Sequence, residues 1–447
     1  MSSRLGPVHN RLPSKYVVAS TSLDAQVLSW AVLSRLAVLA ACVVSDVVLP
    51  DHQPDPSVAR PTNPPWLLRA FTRWDASHFL NLATYGYRQE KDLAFFPLLP
   101  LVMHCLARLL QGIFTWDVSV VVAGLLITNA CFVLSAWLLF RLSLLVLKEH
   151  ALALNAVWIF CITPANVFFS SVYTESPFAA CTLGGLLLLQ LDRFYASAVI
   201  FGLGASLRSN GILNAGFLAH YVLLACLKQP KAELVRTCFH GILRLSVGLA
   251  LALTPFVTFQ AYTVWRVCFD QSEECDASDG AAAVAPEICQ QVIPNAYSYI
   301  QAKYWQVGLF RYWQIKQIPN FLLALPALVL TVAGVIRILY DFWDELRRRI
   351  ANSQGKPVIF RAGYTALTRC PLVPHALHWG FLAAYVFFCA NVQVATRLLT
   401  SGCPIFHWFL ASLLNSRRNP LKPWLKLYLG LYNVLGVIMH PNFLPWT

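Results

Sequence analysis

Four short stretches of this chain gather side chains able to do chemistry. The first is Arg73-Trp74-Asp75-Ala76-Ser77-His78, followed by Gly86-Tyr87 and Ala94-Phe95-Phe96-Pro97. On a helix Asp75 and His78 stand three apart and share a face. A carboxylate beside an arginine and a histidine at a membrane surface suits a general base next to an anionic group. The tryptophan and tyrosine also belong at a membrane interface for structural reasons alone. The second stretch is Tyr173-Thr174-Glu175-Ser176-Pro177. A carboxylate at the bilayer edge is costly unless paired or hydrated. Glu175 is therefore a site acid, a ligand to a phosphate-bound ion, or a first-turn acid behind a Thr174 or Ser176 cap, and the residues alone weigh these readings equally. The third is Arg208-Ser209-Asn210-Gly211. A guanidinium fork grips phosphate bidentately, whereas a lone arginine in the headgroup layer more often snorkels. Arg397 poses the same choice. The fourth is the tail His440-Pro441-Asn442-Phe443-Leu444-Pro445-Trp446, an interfacial anchor or a histidine facing a lipid phosphate.

The elements that must position these groups are membrane helices. Of 447 residues, 57% are apolar and 12% charged, where a soluble domain carries about 25% charged residues. Such a chain needs lipid as solvent. Apolar runs predict about eleven spans, near 27–49, 118–147, 151–169, 175–192, 195–211, 212–227, 240–264, 319–340, 375–395, 402–414 and 424–441. The first contains Arg35, follows Arg4, Arg11 and Lys15, and reads as a retained signal anchor. The expected architecture is an all-α polytopic membrane protein with one membrane-embedded domain over 1–447, a first luminal loop at 50–117 and a second at 265–318.

Charge fixes the expected topology. The net charge of +13 belongs on cytosolic loops of a membrane protein rather than against nucleic acid. The stretch 95–110 holds Pro97, Pro100, His104 and Arg108, poor composition for a lipid-facing span. If it lies in the interface and the N-terminus is cytosolic, Lys148, Arg193, the Lys228/Lys231/Arg236 group, Arg347–Arg349 to Arg369, and Arg417, Arg418, Lys422 and Lys426 all fall on the cytosolic side. The acidic loop 268–289 and the tail then become luminal, and so do all four chemical stretches. Most cysteines, such as Cys131, Cys161, Cys181 and Cys389, sit in apolar runs as small buried hydrophobes. Cys268, Cys275 and Cys289 share the acidic loop, where a luminal setting allows a disulfide. Three thiols leave one over, so no pairing is assigned. The stretch 277–285 is of low complexity, no N-x-S/T sequon occurs, and no Cys/His spacing points to zinc. No P-loop, GxGxxG, HExxH or GxSxG is found, and no DxD occurs at a luminal loop.

Taken in order, Arg73-Trp74-Asp75-Ala76, Gly86-Tyr87, Phe95-Phe96-Pro97-Leu98-Leu99-Pro100, Pro164-Ala165-Asn166-Val167-Phe168, Glu175, Arg208-Ser209-Asn210-Gly211, Arg397, Pro404 to Trp408 and His440-Pro441-Asn442 closely resemble the PIG-V family of GPI mannosyltransferases. The resemblance runs from about 27 to 447 and looks like that of an animal member. It implies a GT-C fold with interfacial helices in the first luminal loop. It also implies residence in the endoplasmic reticulum membrane and transfer of the second, α1,6-linked mannose from dolichol-phosphate-mannose to the GPI-precursor glycolipid. Asp75 matches the luminal aspartate of such enzymes and is the expected base. Arg73, Trp74, His78, Glu175, Arg208, Asn210, Arg397 and His440 are the expected donor- and acceptor-binding residues. No metal or other cofactor is expected, because a lipid monophosphate leaving group suits arginine. A small membrane partner subunit is an open expectation, beside membrane lipids and the two substrates. Three rival readings are another dolichol-phosphate-sugar transferase, a catalytically silent subunit of a transferase complex, and a lipid or solute transporter. A transporter would place charges mid-membrane and often repeat internally. Here the charges cluster at one face and no repeat is visible.

Overall fold

Long apolar runs without enough charge for water must satisfy their own backbone, and the helix does this within one segment. The computed structural model describes residues 20–52, 64–229, 231–269, 287–292, 294–351, 359–444 and 446. Arg4, Arg11, Lys15, Cys275, the stretch 277–285 and Pro445 lie outside these. Among the described residues every regular element is helical and none is a strand. In chain order the α-helices are α1 (Ser20–Val48), α2 (Trp66–Arg69), α3 (Asp75–Tyr85), α4 (Leu98–Leu110), α5 (Trp116–Leu147), α6 (His150–Cys161), α7 (Glu175–Gln190), α8 (Phe194–Ala205), α9 (Ala215–Leu227), α10 (Lys231–Cys268), α11 (Ala296–Trp305), α12 (Ile318–Ala351), α13 (Ile359–Arg369), α14 (Val373–Phe388), α15 (Ala395–Ser401), α16 (Pro404–Asn415) and α17 (Lys422–Met439).

Each predicted apolar run contains a helix, but the boundaries move for physical reasons. Among the described residues five helical stretches are long and apolar enough to cross a membrane: Ser22–Val48, Trp116–Leu147, Ser209–Leu227, Glu233–Cys268 and Ile315–Ala351. Helix α12 outruns its apolar run, expected to end at 340, because charged pairs four residues apart continue the ladder. Arg337 meets Asp341 at 3.1 Å, Arg349 meets Glu345 at 2.9 Å, and Arg348 pairs with Asp344. The run expected over 151–169 is not one helix. Helix α6 stops at Cys161, and Pro164 removes a donor while biasing Thr163 away from the helical region.

Beyond α6 the chain runs to Thr174 through turns and one short 3-10 helix, Asn166–Phe169, almost all of it buried. Non-helical backbone at membrane depth survives only where protein supplies its hydrogen bonds. Three helices do so. Arg35 of α1 donates to the Asn166 carbonyl at 3.2 Å and to Ser170 Oγ at 2.8 Å, and its guanidinium lies 3.6 Å over the Phe132 ring. Asn433 of α17 donates to the Ile162 carbonyl at 2.7 Å. Asn129 of α5 donates to the Ser170 carbonyl at 3.1 Å. An arginine in the first span thus has a structural use: it pays for the break that delivers Tyr173 and Glu175. Helix α5 is apolar on every side and forms the centre of the core. Its small residues let neighbours close in, and a Cβ on Gly124 would stand 2.7 Å from Val172 Cγ1.

Candidate active site

Three chain breaks bring the chemical stretches together. Asp75 and Glu175 are the first residues of α3 and α7, where the positive helix end favours a carboxylate. Arg208 precedes the 3-10 turn Ser209–Asn214, and Arg397 sits in the seven-residue α15. Gly211 is required by close packing, since a Cβ there would stand 2.6 Å from the Gly204 backbone. The two carboxylates and two guanidiniums form one network. Arg397 donates through Nη1 to Asp75 Oδ2 at 3.1 Å and through Nε to Glu175 Oε1 at 2.8 Å. Arg208 Nη1 reaches the same Glu175 oxygen at 2.7 Å. The Arg397 guanidinium also lies over the rings of Phe168 (4.5 Å) and Tyr173 (4.8 Å). Burial works against its charge, but Glu175 and then Asp75 outweigh burial and hold its pKa above the ordinary value.

This network forms one end of a cavity of about 640 Å³. Asp75, Arg208, Asn210 and Arg397 line that end, while Ile212, Leu213, Phe256, Phe381 and Leu382 line apolar wall. Asn295, Tyr297, Gln301 and Trp305, from α11 and the residue before it, close another side. Helix α11 is fastened to its surroundings by Ser209 Oγ donating to Tyr297 Oη at 3.0 Å and by Lys303 with Glu90 at 2.5 Å. A disulfide joins Cys268, at the end of α10, to Cys289 ahead of α11. That supplies the pairing the sequence left open.

The predicted site residues divide into two groups. Asp75, Arg208, Asn210 and Arg397 line the cavity. Glu175 lies beneath them, fully buried, with Oε2 lacking a partner. Glu175 is the first-turn acid expected of the capping reading, but Thr174 makes no side-chain cap, and the Glu175 charge is met by Arg208 and Arg397. Arg208 folds inward onto Glu175 rather than snorkelling. The remaining four do not line the cavity. Arg73 is buried and turned away, paired with Asp46 at 2.7 Å and Asp51 at 3.1 Å. Trp74 packs against Phe443. Its φ of +56° lies in the left-handed region, strain of about 1–3 kcal/mol for a bulky residue. His78 stacks on Phe95 with centroids 4.5 Å apart, and Phe95 in turn lines the cavity. Burial pushes the His78 pKa below its ordinary value against the pull of Asp75 and Asp92. His440 is buried behind Tyr173, its Nε2 3.3 Å from the phenol oxygen. The tail meets no cavity surface at that point.

Sequence reasoning missed Asp46 and Asp51, the counter-charges of Arg73. Asp46 is an acid near the end of a mainly apolar run, a signal that was available. It also missed the α11 residues, which only long-range packing brings to the cavity.

Among the described residues, an all-helical fold with several membrane-length apolar segments and a carboxylate–arginine network beside a partly apolar cavity defines a membrane protein with a charged site. Residues 21–447 match the family described as Mannosyltransferase (PIG-V), and the chain belongs to that family of mannosyltransferases. It is 32% identical over 487 residues to GPI alpha-1,6-mannosyltransferase 2 of Rattus norvegicus, covering 94% of this chain and 98% of that protein. It is 29% identical over 486 residues to the Homo sapiens protein of the same name, with the same two coverages of 94% and 98%. It is 30% identical over 413 residues to GPI mannosyltransferase 2 of Chaetomium globosum, covering 85% and 84%. Among solved structures, archaeal oligosaccharyltransferase AglB from Archaeoglobus fulgidus, in complex with an inhibitory peptide and a dolichol-phosphate, gives a TM-score of 0.41 at 12% identity, over 92% of this chain and 55% of that one.

Proposed function

We propose that this mannosyltransferase adds the second, α1,6-linked mannose to the GPI precursor, using dolichol-phosphate-mannose, at the luminal face of the endoplasmic reticulum membrane. The names and near-full coverage of its relatives support the reaction. The observation that carries the site is the pairing of Asp75, 40% exposed at the cavity, with Arg397, beside Arg208, which lines the same cavity.

The chemistry follows from the donor. Its mannose is β-linked and the product α-linked, so the anomeric carbon inverts in one in-line displacement. The acceptor 6-hydroxyl attacks C1, the C1–O bond to phosphate breaks with its electron pair leaving on phosphate, and the hydroxyl proton passes to Asp75. Arg208 and Arg397 meet the charge developing on the departing phosphate, so the step as written needs no resident metal. Glu175 holds both guanidiniums in place from below. The apolar wall suits the lipid portion of a substrate. In this reading the N-terminus is cytosolic, the chain crosses about eleven times, and 50–117 and 265–318 are luminal. The basic opposite loops support that topology, as does a disulfide at Cys268–Cys289, which belongs in an oxidising compartment.

The test is complementation of cells lacking the second GPI mannosyltransferase, comparing wild type with Asp75→Asn at matched expression. Surface display of a GPI-anchored reporter is read beside the accumulating glycolipid. Rescue by wild type alone, with a one-mannose precursor building up in the variant, is expected. Rescue by both removes Asp75 as base. Failure of stable wild-type protein in a cell retaining its own partner subunits overturns the assignment of the reaction.

A further inference from the structure

The end of the chain packs against the residue that sets the direction of Asp75. Trp74 and Phe443 are far apart in the sequence, and both hold φ at +56° without being glycine. Their ring centroids are 6.0 Å apart, and the Arg73 guanidinium lies 4.3 Å over the Phe443 ring. The turn that carries Phe443 is itself tied down. The His52 N–H donates to the Asn442 carbonyl at 2.9 Å, and Asn442 Nδ2 donates to Ser45 Oγ at 2.8 Å. Next to Ser45, Asp46 accepts from Arg73 at 2.7 Å. On the far side, the Tyr173 hydroxyl donates to the Arg73 carbonyl at 3.3 Å. Asn442 and Phe443 are buried and neither lines the cavity.

A bulky residue stays in the left-handed region only where its surroundings impose it. Trp74 is the residue immediately before α3, so its backbone torsions set how that helix leaves the loop and where Asp75, its first residue, points. Without the Phe443 ring, Trp74 loses a packing partner and Arg73 loses the surface beneath its guanidinium. The geometry points to the Asn442–Phe443 turn as a positioning element that holds Trp74 in its positive-φ conformation and thereby fixes Asp75 in the cavity. This rests on the reading of Asp75 as the base.

The experiment uses the full-length enzyme in detergent, with dolichol-phosphate-mannose and a one-mannose GPI precursor. Rates are normalised to the monodisperse, folded fraction, so loss of protein cannot pass for loss of rate. Phe443→Ala is expected to lower kcat by on the order of 10- to 100-fold, the effect of an ångström-scale misplacement, with both KM values unchanged. Phe443→Tyr, which keeps a ring, restores the rate. In an Asp75→Glu background, where the carboxylate is already displaced, Phe443→Ala lowers kcat far less. A wild-type kcat for Phe443→Ala beside an inactive Asp75→Asn overturns the positioning role alone. So does an equal loss in the Asp75→Glu background, which places the effect elsewhere. Wild-type activity of Asp75→Asn overturns the base assignment and this inference with it.

Discussion

Asp75 and Glu175 are alike in most of what a sequence can say about them. Each is the first residue of a helix, and each pairs with Arg397, at 3.1 and 2.8 Å. Their surroundings separate them. The Asp75 side chain is 40% exposed at the cavity and meets one guanidinium. Glu175 is fully buried and meets two through a single oxygen. A buried carboxylate pinned by two cations has no room to take a proton from a substrate. A half-exposed one beside a single cation does. Two acids at equivalent helix positions therefore differ in depth and in the number of guanidiniums they meet, and the proposed division into a base and a brace rests on that difference.

The widest test of that division is Asp75→Asn. It is expected to lower kcat by about 10²- to 10⁴-fold, the range for a lost general base, with an unchanged thermal midpoint in detergent. Glu175→Gln should show the reverse emphasis. The buried Arg397 and the partly buried Arg208 lose their shared counter-charge, and breaking a buried pair destabilises by roughly 3–5 kcal/mol, read as a lower midpoint and less folded enzyme. Equal thermal losses in the two variants would erase the distinction. Arg397→Lys sharpens it from the other side. A lysine keeps the charge but cannot reach both acids with a planar fork, so kcat should fall on the order of 10- to 100-fold with a smaller loss of stability than in Glu175→Gln. The smallest effect belongs to His78→Phe. Burial lowers the histidine pKa from 6.5, so the ring is neutral above that pH, and phenylalanine preserves the stack on Phe95. The pH–rate profile above 6.5 should not change. A cationic His78 in the mechanism would instead give wild type a loss of activity as pH rises through its pKa, and the variant would lack that loss.

The same contrast explains what could be read in advance. Asp75, Arg208, Asn210 and Arg397 were singled out by the ordered resemblance, since the residues alone left interfacial and snorkelling readings open. Arg73, one residue pair away from Asp75, looked equally suited to a substrate phosphate. It is consumed by Asp46 and Asp51, and nothing local to Arg73 announces partners 27 and 22 residues away. His440 resembled a ligand for a lipid phosphate and lies behind Tyr173 instead. Arg35 read as part of an anchor and serves the broken backbone after α6.

The amino-acid sequence alone determined that this chain needs lipid, where most of its helices lie, and which polar stretches interrupt them. Composition and hydropathy are sums over neighbouring residues, and so is the energy that drives an apolar run to become a helix. Tertiary structure alone decided which of those polar residues face the cavity, which acid is buried beneath the arginines, and that the last turn of the chain packs on Trp74. Those outcomes depend on burial and on pairings between residues hundreds of positions apart, such as Arg397 with Asp75, a separation of 322. No local window contains both partners of such a pair.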